Sequence, residues 1–197
     1  LQDSYRRPAF YRSLSGFDWP YASALVAGSV YAYSLYGSAM DAYEQGILFL
    51  TAASFIALGW FWKPMRVLLP VVAALSLFGI GQYHGELARA GQSFWLKYLF
   101  ASQSAIMWMS ALFVMATAGY WFGLAARSDF ANRVSAAITW CAAAMGLIGL
   151  MVRWYESYLI GADVGHIPLS NLYEVFILFS IITALLYLYY EQIYRTR

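Results

Sequence analysis

The chain is built from long apolar stretches that contain no Asp, Glu, Lys or Arg, and these stretches constrain its fold more than any other feature. They cover residues 19–40, 46–62, 67–82, 99–126, 134–152 and 175–190. A helix needs about 20 residues to cross a hydrocarbon core of about 30 Å. The pattern predicts an all-α integral membrane protein, a polytopic bundle of about six transmembrane helices. We expect the last helix to begin nearer Leu172, with Glu174 in its first turn.

Composition excludes an ordinary soluble domain. The chain is 62% apolar and 11% charged, whereas soluble domains are about 45–50% apolar and about 25% charged. The net charge of +2 is spread over several loops and forms no basic stripe, so it indicates no nucleic-acid partner. We therefore expect one polytopic membrane domain over residues 1–197.

The distribution of Lys and Arg predicts the orientation, because these residues are retained on the cytoplasmic side of short loops. One side of the predicted bundle carries Arg6, Arg7, Arg12, Lys63, Arg66, Arg127, Arg133, Arg195 and Arg197, and the other carries Arg89, Lys97 and Arg153. This asymmetry places both termini in the cytoplasm. Residues 1–18 then form a cytoplasmic basic arm, residues 83–98 an outer interfacial segment, and residues 153–171 an outer loop.

Local patterns refine this topology. Asp18 followed by Trp19 and Pro20 predicts a helix start, and residues 63–66 predict a tight turn. The spacing of apolar residues in 85–98 is compatible with an amphipathic interfacial helix or with an irregular segment. In the fifth span the small residues Ala142, Gly146 and Gly149 predict a packing face. We interpret Cys141, the single cysteine, as a further packing residue.

The most informative stretch is the sequence GHIPLSNLYE at residues 165–174, which lies at the predicted outer mouth of the bundle. Pro168 cannot continue a helix, and Asn171 with Glu174 has the form of a capping box. Arg153, expected to close the fifth span, could pair with Glu156 or with Glu174. Two interpretations are open: these residues serve as helix caps and an ion pair alone, or His166 handles a metal, haem or a proton.

This motif, after the Arg153–Trp154 pair, resembles the CcsA/ResC family of cytochrome c biogenesis proteins. The run from 153 to 161, the pair Glu191–Gln192, the pair Lys97–Tyr98 and the triplet 102–104 resemble proteobacterial members labelled CcsB, from System II. The resemblance implies a multi-pass protein of the bacterial inner membrane. The matching site residues are Arg153, Gly165, His166, Pro168, Ser170, Asn171, Tyr173 and Glu174.

The resemblance also implies a function. Family members work with a ResB-type partner to export haem and to join its vinyl groups to apocytochrome c on the periplasmic side. The implied cofactor is transiently bound haem b, and the implied partners are the ResB-type subunit, apocytochrome c and the bilayer. The matching residues would line or brace the region that receives haem.

The sequence also departs from the family. The defining Trp-rich loop, Trp-Gly-x-Trp-Trp-x-Trp-Asp, and the histidines that flank it are absent, so we expect this chain to be the N-terminal part of a longer protein. Its haem ligands are then expected outside these residues, its status as an enzyme stays open, and no catalytic residue is assigned. We do not expect His84 and His166 to act as a substitute ligand pair, and no other metal site is predicted.

Two other functions compete with this one. The chain could be a membrane anchor or a transporter subunit without chemistry of its own, using Ser102, Gln103 and Ser104 to hold a polar ligand. It could also be an assembly module that provides the interface for the ResB-type subunit. Polar residues at membrane depth also form interhelical hydrogen bonds, so the triplet alone does not separate these functions.

Overall fold

A computed structural model describes residues 14–161 and 167–194. The described chain is helical and contains no strand. Its helices are α1 (Asp18–Tyr36), α2 (Ala42–Phe61), α3 (Met65–Tyr83), α4 (Ser102–Ala126), α5 (Asp129–Ile160) and α6 (Leu172–Tyr194). The all-α class is thus confirmed, as are the start of α1 at Asp18 and the start of α6 at Leu172 with Glu174 in its first turn.

Five of these helices, α2 to α6, are long and apolar enough to cross a membrane. The first helix has 19 residues but is not among the five. Its tyrosine and serine residues lower its mean hydropathy below that of the others. The five apolar helices are compatible with a multi-pass membrane protein.

The chain divides into two compact units, residues 1–69 and residues 70–197. The boundary lies inside α3, directly before Pro70. A proline has no N–H to donate to the carbonyl four residues earlier and interrupts the regular hydrogen bonding of a helix. The boundary therefore coincides with a missing hydrogen-bond donor in α3.

In the first unit, α1 packs against α2. The Tyr21 hydroxyl donates to the Phe55 carbonyl at 2.9 Å, and the Trp60 indole donates to the Asp18 carbonyl at 3.2 Å. Arg66, in the first turn of α3, forms an ion pair with Asp18. These contacts all join the start of α1 to the end of α2 and the start of α3, and the predicted tight turn at residues 63–66 is confirmed.

In the second unit, α4 and α5 form an antiparallel hairpin joined by Arg127 and Ser128. Arg127 has a left-handed backbone conformation, φ 50°, and ends α4. The Ser128 side chain then accepts a hydrogen bond from the Ala131 N–H at 3.4 Å and begins α5. The two helices are the most extensively packed pair in the described chain.

Small residues allow this close packing. Gly149 lies against Ile106, and Gly146 lies against Met109 and Ile181. Because a side chain at either glycine would collide with these neighbours, the helices can approach closely only where a Cβ is absent. The predicted packing face of Ala142, Gly146 and Gly149 is confirmed, since all of its members are buried.

The sixth helix packs on the same α5. Ile106 and Met109 of α4, Ala143 and Leu150 of α5, and Ile177 and Ile181 of α6 form one buried core cluster. The fifth helix is thus the central helix of this unit, with α4 and α6 on its flanks.

Two local predictions are corrected, and one open alternative is decided. Arg153 does not end the fifth helix, because α5 continues to Ile160; the connection to α6 therefore begins at Gly161 and not at residue 153. Of the two alternatives for residues 85–98, the structure has the irregular segment, which contains a short 3₁₀ turn, Leu87–Gly91, and the start of a π-helical turn, Leu96–Phe100. Cys141 is exposed and is not a packing residue.

Candidate functional site: a polar cluster at one end of the second unit

Arg153 lies between two carboxylates at the end of the bundle where α3 and α5 finish and α4 and α6 begin. Its Nε donates to Glu174 Oε1 at 3.4 Å, and its Nη1 lies 3.9 Å from Glu156 Oε2. The sequence left open which glutamate Arg153 pairs with, and the structure brings both to it. The Arg153 side chain remains 37% exposed.

Glu156 joins three helices through hydrogen bonds. Its carboxylate accepts from the Tyr83 hydroxyl at the end of α3, from the Ser102 N–H at 3.0 Å and from the Ser102 hydroxyl at 2.5 Å. All three residues are buried. The Ser102 N–H begins α4 and has no partner within its own helix, so Glu156 of α5 acts as the cap of α4.

Glu174 has the same role at the start of α6. Its Oε2 accepts from the Ser170 N–H at 3.1 Å and from the Ser170 hydroxyl at 3.3 Å, while its own N–H donates to Asn171 Oδ1 at 2.9 Å. The predicted capping box is therefore present in altered form, because the reciprocal donor is Ser170 and not Asn171. Glu174 is 4% exposed.

The charges in this cluster are balanced by the helix ends. One guanidinium faces two carboxylates, and each carboxylate accepts hydrogen bonds at the start of a helix, α4 for Glu156 and α6 for Glu174. A helix N-terminus carries roughly half a positive charge. Two such termini offset one carboxylate and Arg153 offsets the other, so the cluster as a whole is close to neutral.

A cavity of about 530 Å³ lies beside the cluster. It is lined by Ser102, Gln103, Ile106, Met107, Ser110, Arg153 and Tyr173. Its polar part contains the donors of Arg153, Gln103 and Tyr173, and its apolar part is supplied by α4. Its volume lies within the range of about 300–1,000 Å³ that is typical of small-molecule sites.

The structure brings most of the predicted site residues together. Arg153, Ser170, Asn171 and Glu174 are linked by hydrogen bonds, and Tyr173 shares the cavity wall with Arg153. Pro168 is buried in the turn before α6. Gly165 and His166 lie outside the described residues.

Sequence reasoning did not place Tyr83 in the site, although Tyr83 is fully buried and holds Glu156. The Tyr83 hydroxyl is joined to α5 by a contact between residues far apart in the chain, which no local pattern reveals. The available signal was Glu156 itself, a carboxylate in a mostly apolar helix. Such a group needs partners from neighbouring helices.

Within the part of the chain that the structure describes, no group of three or more His, Cys, Asp or Glu side chains could hold a metal ion. His84 follows the end of α3, next to Tyr83, and is exposed with φ 47°. Comparisons with protein-family models, with curated proteins and with solved structures found no match to this chain.

Proposed function

We propose that the chain is a membrane subunit of a haem export and attachment complex that acts in c-type cytochrome biogenesis. In this proposal it delivers haem to apocytochrome c on the periplasmic side of the bacterial inner membrane, together with a ResB-type subunit. The proposal rests on the resemblance of residues 153–174 to the CcsA/ResC family. The geometry of the polar cluster supports it.

The contact between Arg153 and Glu174 is the observation that carries this proposal. Glu174 belongs to the motif and Arg153 to the pair that precedes it, and the two lie on different helices, yet their side chains meet at 3.4 Å. Ser170, Asn171 and Tyr173 surround the same point. Residues that act on one ligand must converge in this way, whereas a set of independent helix caps need not.

The residues of the cavity fit a haem. Haem has a flat apolar ring and two carboxylates, so it requires an apolar wall and hydrogen-bond donors at one edge. Ile106 and Met107 would contact the ring, and Arg153, Gln103 and Tyr173 would hold the carboxylates. When bound, haem supplies the vinyl groups that react with the cysteine thiols of apocytochrome c.

The proposal includes six membrane spans, with α1 as the sixth and with both termini in the cytoplasm. The lopsided distribution of cations supports this topology. It places the polar cluster on the periplasmic side, where apocytochrome c is matured. Reporter fusions after α1 and after α6 test it, and an outer location for the end of α6 would contradict it.

Holocytochrome c formation provides the functional test. The full-length protein is expressed with a ResB-type partner in a bacterial strain that lacks its own maturation system, and covalently bound haem is measured by gel staining. We expect Arg153→Gln to reduce the haem signal at least tenfold. Arg133→Gln, an exposed arginine elsewhere on α5, is the matched control and should preserve it.

The same experiment distinguishes haem attachment from the competing function, a transporter subunit. If the wild-type protein gives no holocytochrome c and its purified form, checked by intact mass, has no haem absorption band, the haem proposal is wrong. Substrate-dependent flux in proteoliposomes without haem would then assign the chain as a transporter subunit.

A further inference from the structure

We propose that residues 93–100, the aromatic segment of the connection between α3 and α4, fold back into the lipid leaflet beside these helices and anchor this end of the second unit in it. The partner is the phospholipid itself, through its chains and its headgroups. This location is deeper than the membrane interface that the sequence predicts for residues 83–98. None of the residues involved lines the cavity beside Arg153, so the anchor does not depend on the proposed function.

The connection between α3 and α4 has a polar half and an aromatic half. Residues 84–92 carry three ionisable side chains, and the Glu86 carboxylate lies 3.7 Å from the Arg89 guanidinium in an exposed ion pair. The aromatic segment, with the sequence SFWLKYLF, has Lys97 as its single charged residue. Because charged side chains are costly inside a membrane, the composition allows the aromatic segment to enter a leaflet and keeps the polar half outside it.

Contacts with α3 show how deep the aromatic segment reaches. The centroids of the Trp95 and Phe100 rings lie 6.0 Å and 5.6 Å from that of Phe78, and Phe100 packs directly on Gly79. Gly79 is four residues before Tyr83, the end of α3, which is a rise of about 6 Å. The 19 residues of α3 extend over about 28 Å, close to the hydrocarbon thickness of about 30 Å. Contacts at the level of Gly79 therefore lie within the apolar layer when α3 crosses a membrane.

The aromatic segment also folds back along α4, which satisfies part of its backbone. The Ser104 hydroxyl donates to the Lys97 carbonyl at 2.7 Å, and the Trp108 indole N–H donates to the Tyr98 carbonyl at 2.7 Å. Both donors lie in the first two turns of α4. Irregular backbone is tolerated at membrane depth only where the protein satisfies its polar groups. The two side chains of α4 provide this for the carbonyls of the π-helical turn.

Three rings of the aromatic segment face away from the protein. Phe94, Trp95 and Tyr98 are 64%, 46% and 51% exposed, and the Phe94 centroid lies 5.7 Å from that of Trp95 and 5.1 Å from that of Tyr98. Their surface continues the exposed apolar surface of the two helices at Phe78 and Trp108. Because that surface faces lipid when α3 and α4 cross a membrane, lipid is also the partner of the three rings.

The chemistry of the aromatic segment fits the boundary between lipid chains and headgroups. Trp and Tyr are enriched at this boundary, because each combines an apolar ring with one polar group. The Lys97 ammonium lies 5.4 Å from the centroid of the Tyr98 ring, within the range of a cation–π interaction. The long stem of a lysine lets its ammonium remain near the headgroups while the stem lies among the chains. A water-soluble protein would not reach rings at this depth, so the geometry favours phospholipid.

Spin labels measure the surroundings of the aromatic segment. The full-length protein with Cys141→Ala is placed in phosphatidylcholine nanodiscs, and a nitroxide is attached after Phe94→Cys or Tyr98→Cys. Collision rates are measured with oxygen and with a water-soluble nickel chelate. Because oxygen prefers apolar surroundings, we expect the ratio of oxygen to nickel collisions at both sites to be at least about fivefold higher than after Gln92→Cys, an exposed position of the polar half. Val114→Cys, at a 71% exposed position of α4, is the lipid-facing control.

Two results would overturn the inference. A ratio at positions 94 and 98 equal to that at position 92 would mean that the aromatic segment lies in water. Low collision rates with both reagents would mean that protein covers the rings. A high ratio, close to that at position 114, supports the anchor.

A second measurement needs no cysteine and so protects the test against misfolding of the labelled variants. Trp95→Phe keeps an aromatic ring at its position, and the fluorescence that it removes from the wild-type signal is the contribution of Trp95. Phosphatidylcholine brominated on its acyl chains quenches tryptophans that contact those chains. We expect the contribution of Trp95 to be at least about twofold smaller in brominated than in ordinary lipid, because its ring is 46% exposed. An equal contribution in both lipids would show that Trp95 lies outside the leaflet and would overturn the inference.

Discussion

The α1–α2 pair and the α4–α5 pair are each two membrane-length helices, but they are held together differently. Of an apolar 18-residue stretch of α2, only 6% is buried within the protein, whereas 50% of the corresponding stretch of α5 is buried. The α4–α5 pair is packed along its length by small residues such as Gly146 and Gly149. The α1–α2 pair is joined by separate contacts at its two ends, around Asp18 and Trp60 at one end and between Tyr33 and Phe49 at the other.

The arginines of the two units differ in their exposure and in their partners. The Arg66 side chain is 9% exposed and pairs with Asp18, which is 1% exposed. Arg153 is 37% exposed and lies between two glutamates. The comparison indicates that Arg66 is enclosed within its unit, whereas Arg153 keeps part of its side chain exposed beside a cavity.

The largest predicted effect is a loss of stability in the first unit. Asp18→Ala leaves Arg66 buried without its carboxylate, and we expect a loss of about 3–5 kcal/mol in the free energy of unfolding. Denaturant titration of the purified protein, followed by tryptophan fluorescence, measures it. Asp18→Ala combined with Arg66→Leu should recover much of the loss. A single-variant loss below about 1 kcal/mol would show that this ion pair does not hold the unit.

The next prediction tests the packing of the second unit. A Cβ on Gly146 would lie 2.5 Å from the Met109 sulfur and 2.8 Å from Ile181. Gly146→Ala should therefore reduce stability by about 1–3 kcal/mol through overpacking. The same substitution at Gly81 of α3 meets nothing within 4 Å and serves as the control. We expect it to be neutral or stabilising, and equal effects at the two glycines would contradict the packing argument.

Helix caps should contribute similar amounts to the stability of the two units. Asp41 Oδ1 accepts from the Glu44 N–H at 2.7 Å at the start of α2, and Asn171 Oδ1 accepts from the Glu174 N–H at the start of α6. Replacing either cap by Ala should cost about 1 kcal/mol. Thermal unfolding in detergent compares the two variants. A much larger effect of Asn171→Ala would mean that the cap also holds the ligand site together.

The smallest predicted effect sharpens the comparison between the arginines. Arg153 is partly exposed, and without it Glu156 and Glu174 keep the hydrogen bonds that they accept from Ser102 and Ser170. Arg153→Gln should therefore change the free energy of unfolding by about 1 kcal/mol or less. Arg66→Gln, measured in the same denaturant titration, should cause a loss several times larger. If the two variants lose equal stability, Arg153 is a structural residue and does not differ from Arg66 in this respect.

The sequence predicted the helices well, because uncharged apolar stretches of membrane length allow little else. It predicted the start of α6 from Pro168, Asn171 and Glu174, and it predicted the small-residue face of α5. It misplaced Arg153 as the end of α5, because a helix can continue beyond the apolar core while its charged residues find partners. Only the tertiary structure provides those partners, here Glu156 and Glu174.

Only part of the candidate site was predicted, because some of its contacts join residues that are distant in the chain. The motif residues 170–174 follow one another in the chain, so a local pattern reveals them. Tyr83 and Ser102 reach Glu156 from two other helices, and no spacing in the sequence records this contact. Cys141 shows the opposite error, since a small apolar residue within an apolar helix can face either the protein or the lipid.

The two-residue connection between α4 and α5 bears on how the protein is made. Arg127 and Ser128 turn the chain immediately, so the partners of this hairpin are close in sequence and can meet as soon as both helices have been synthesised. Contacts between nearby residues form faster than contacts between distant ones. We expect the hairpin to enter the bilayer as a preassembled pair. Helix α6 is synthesised later and then packs onto α5.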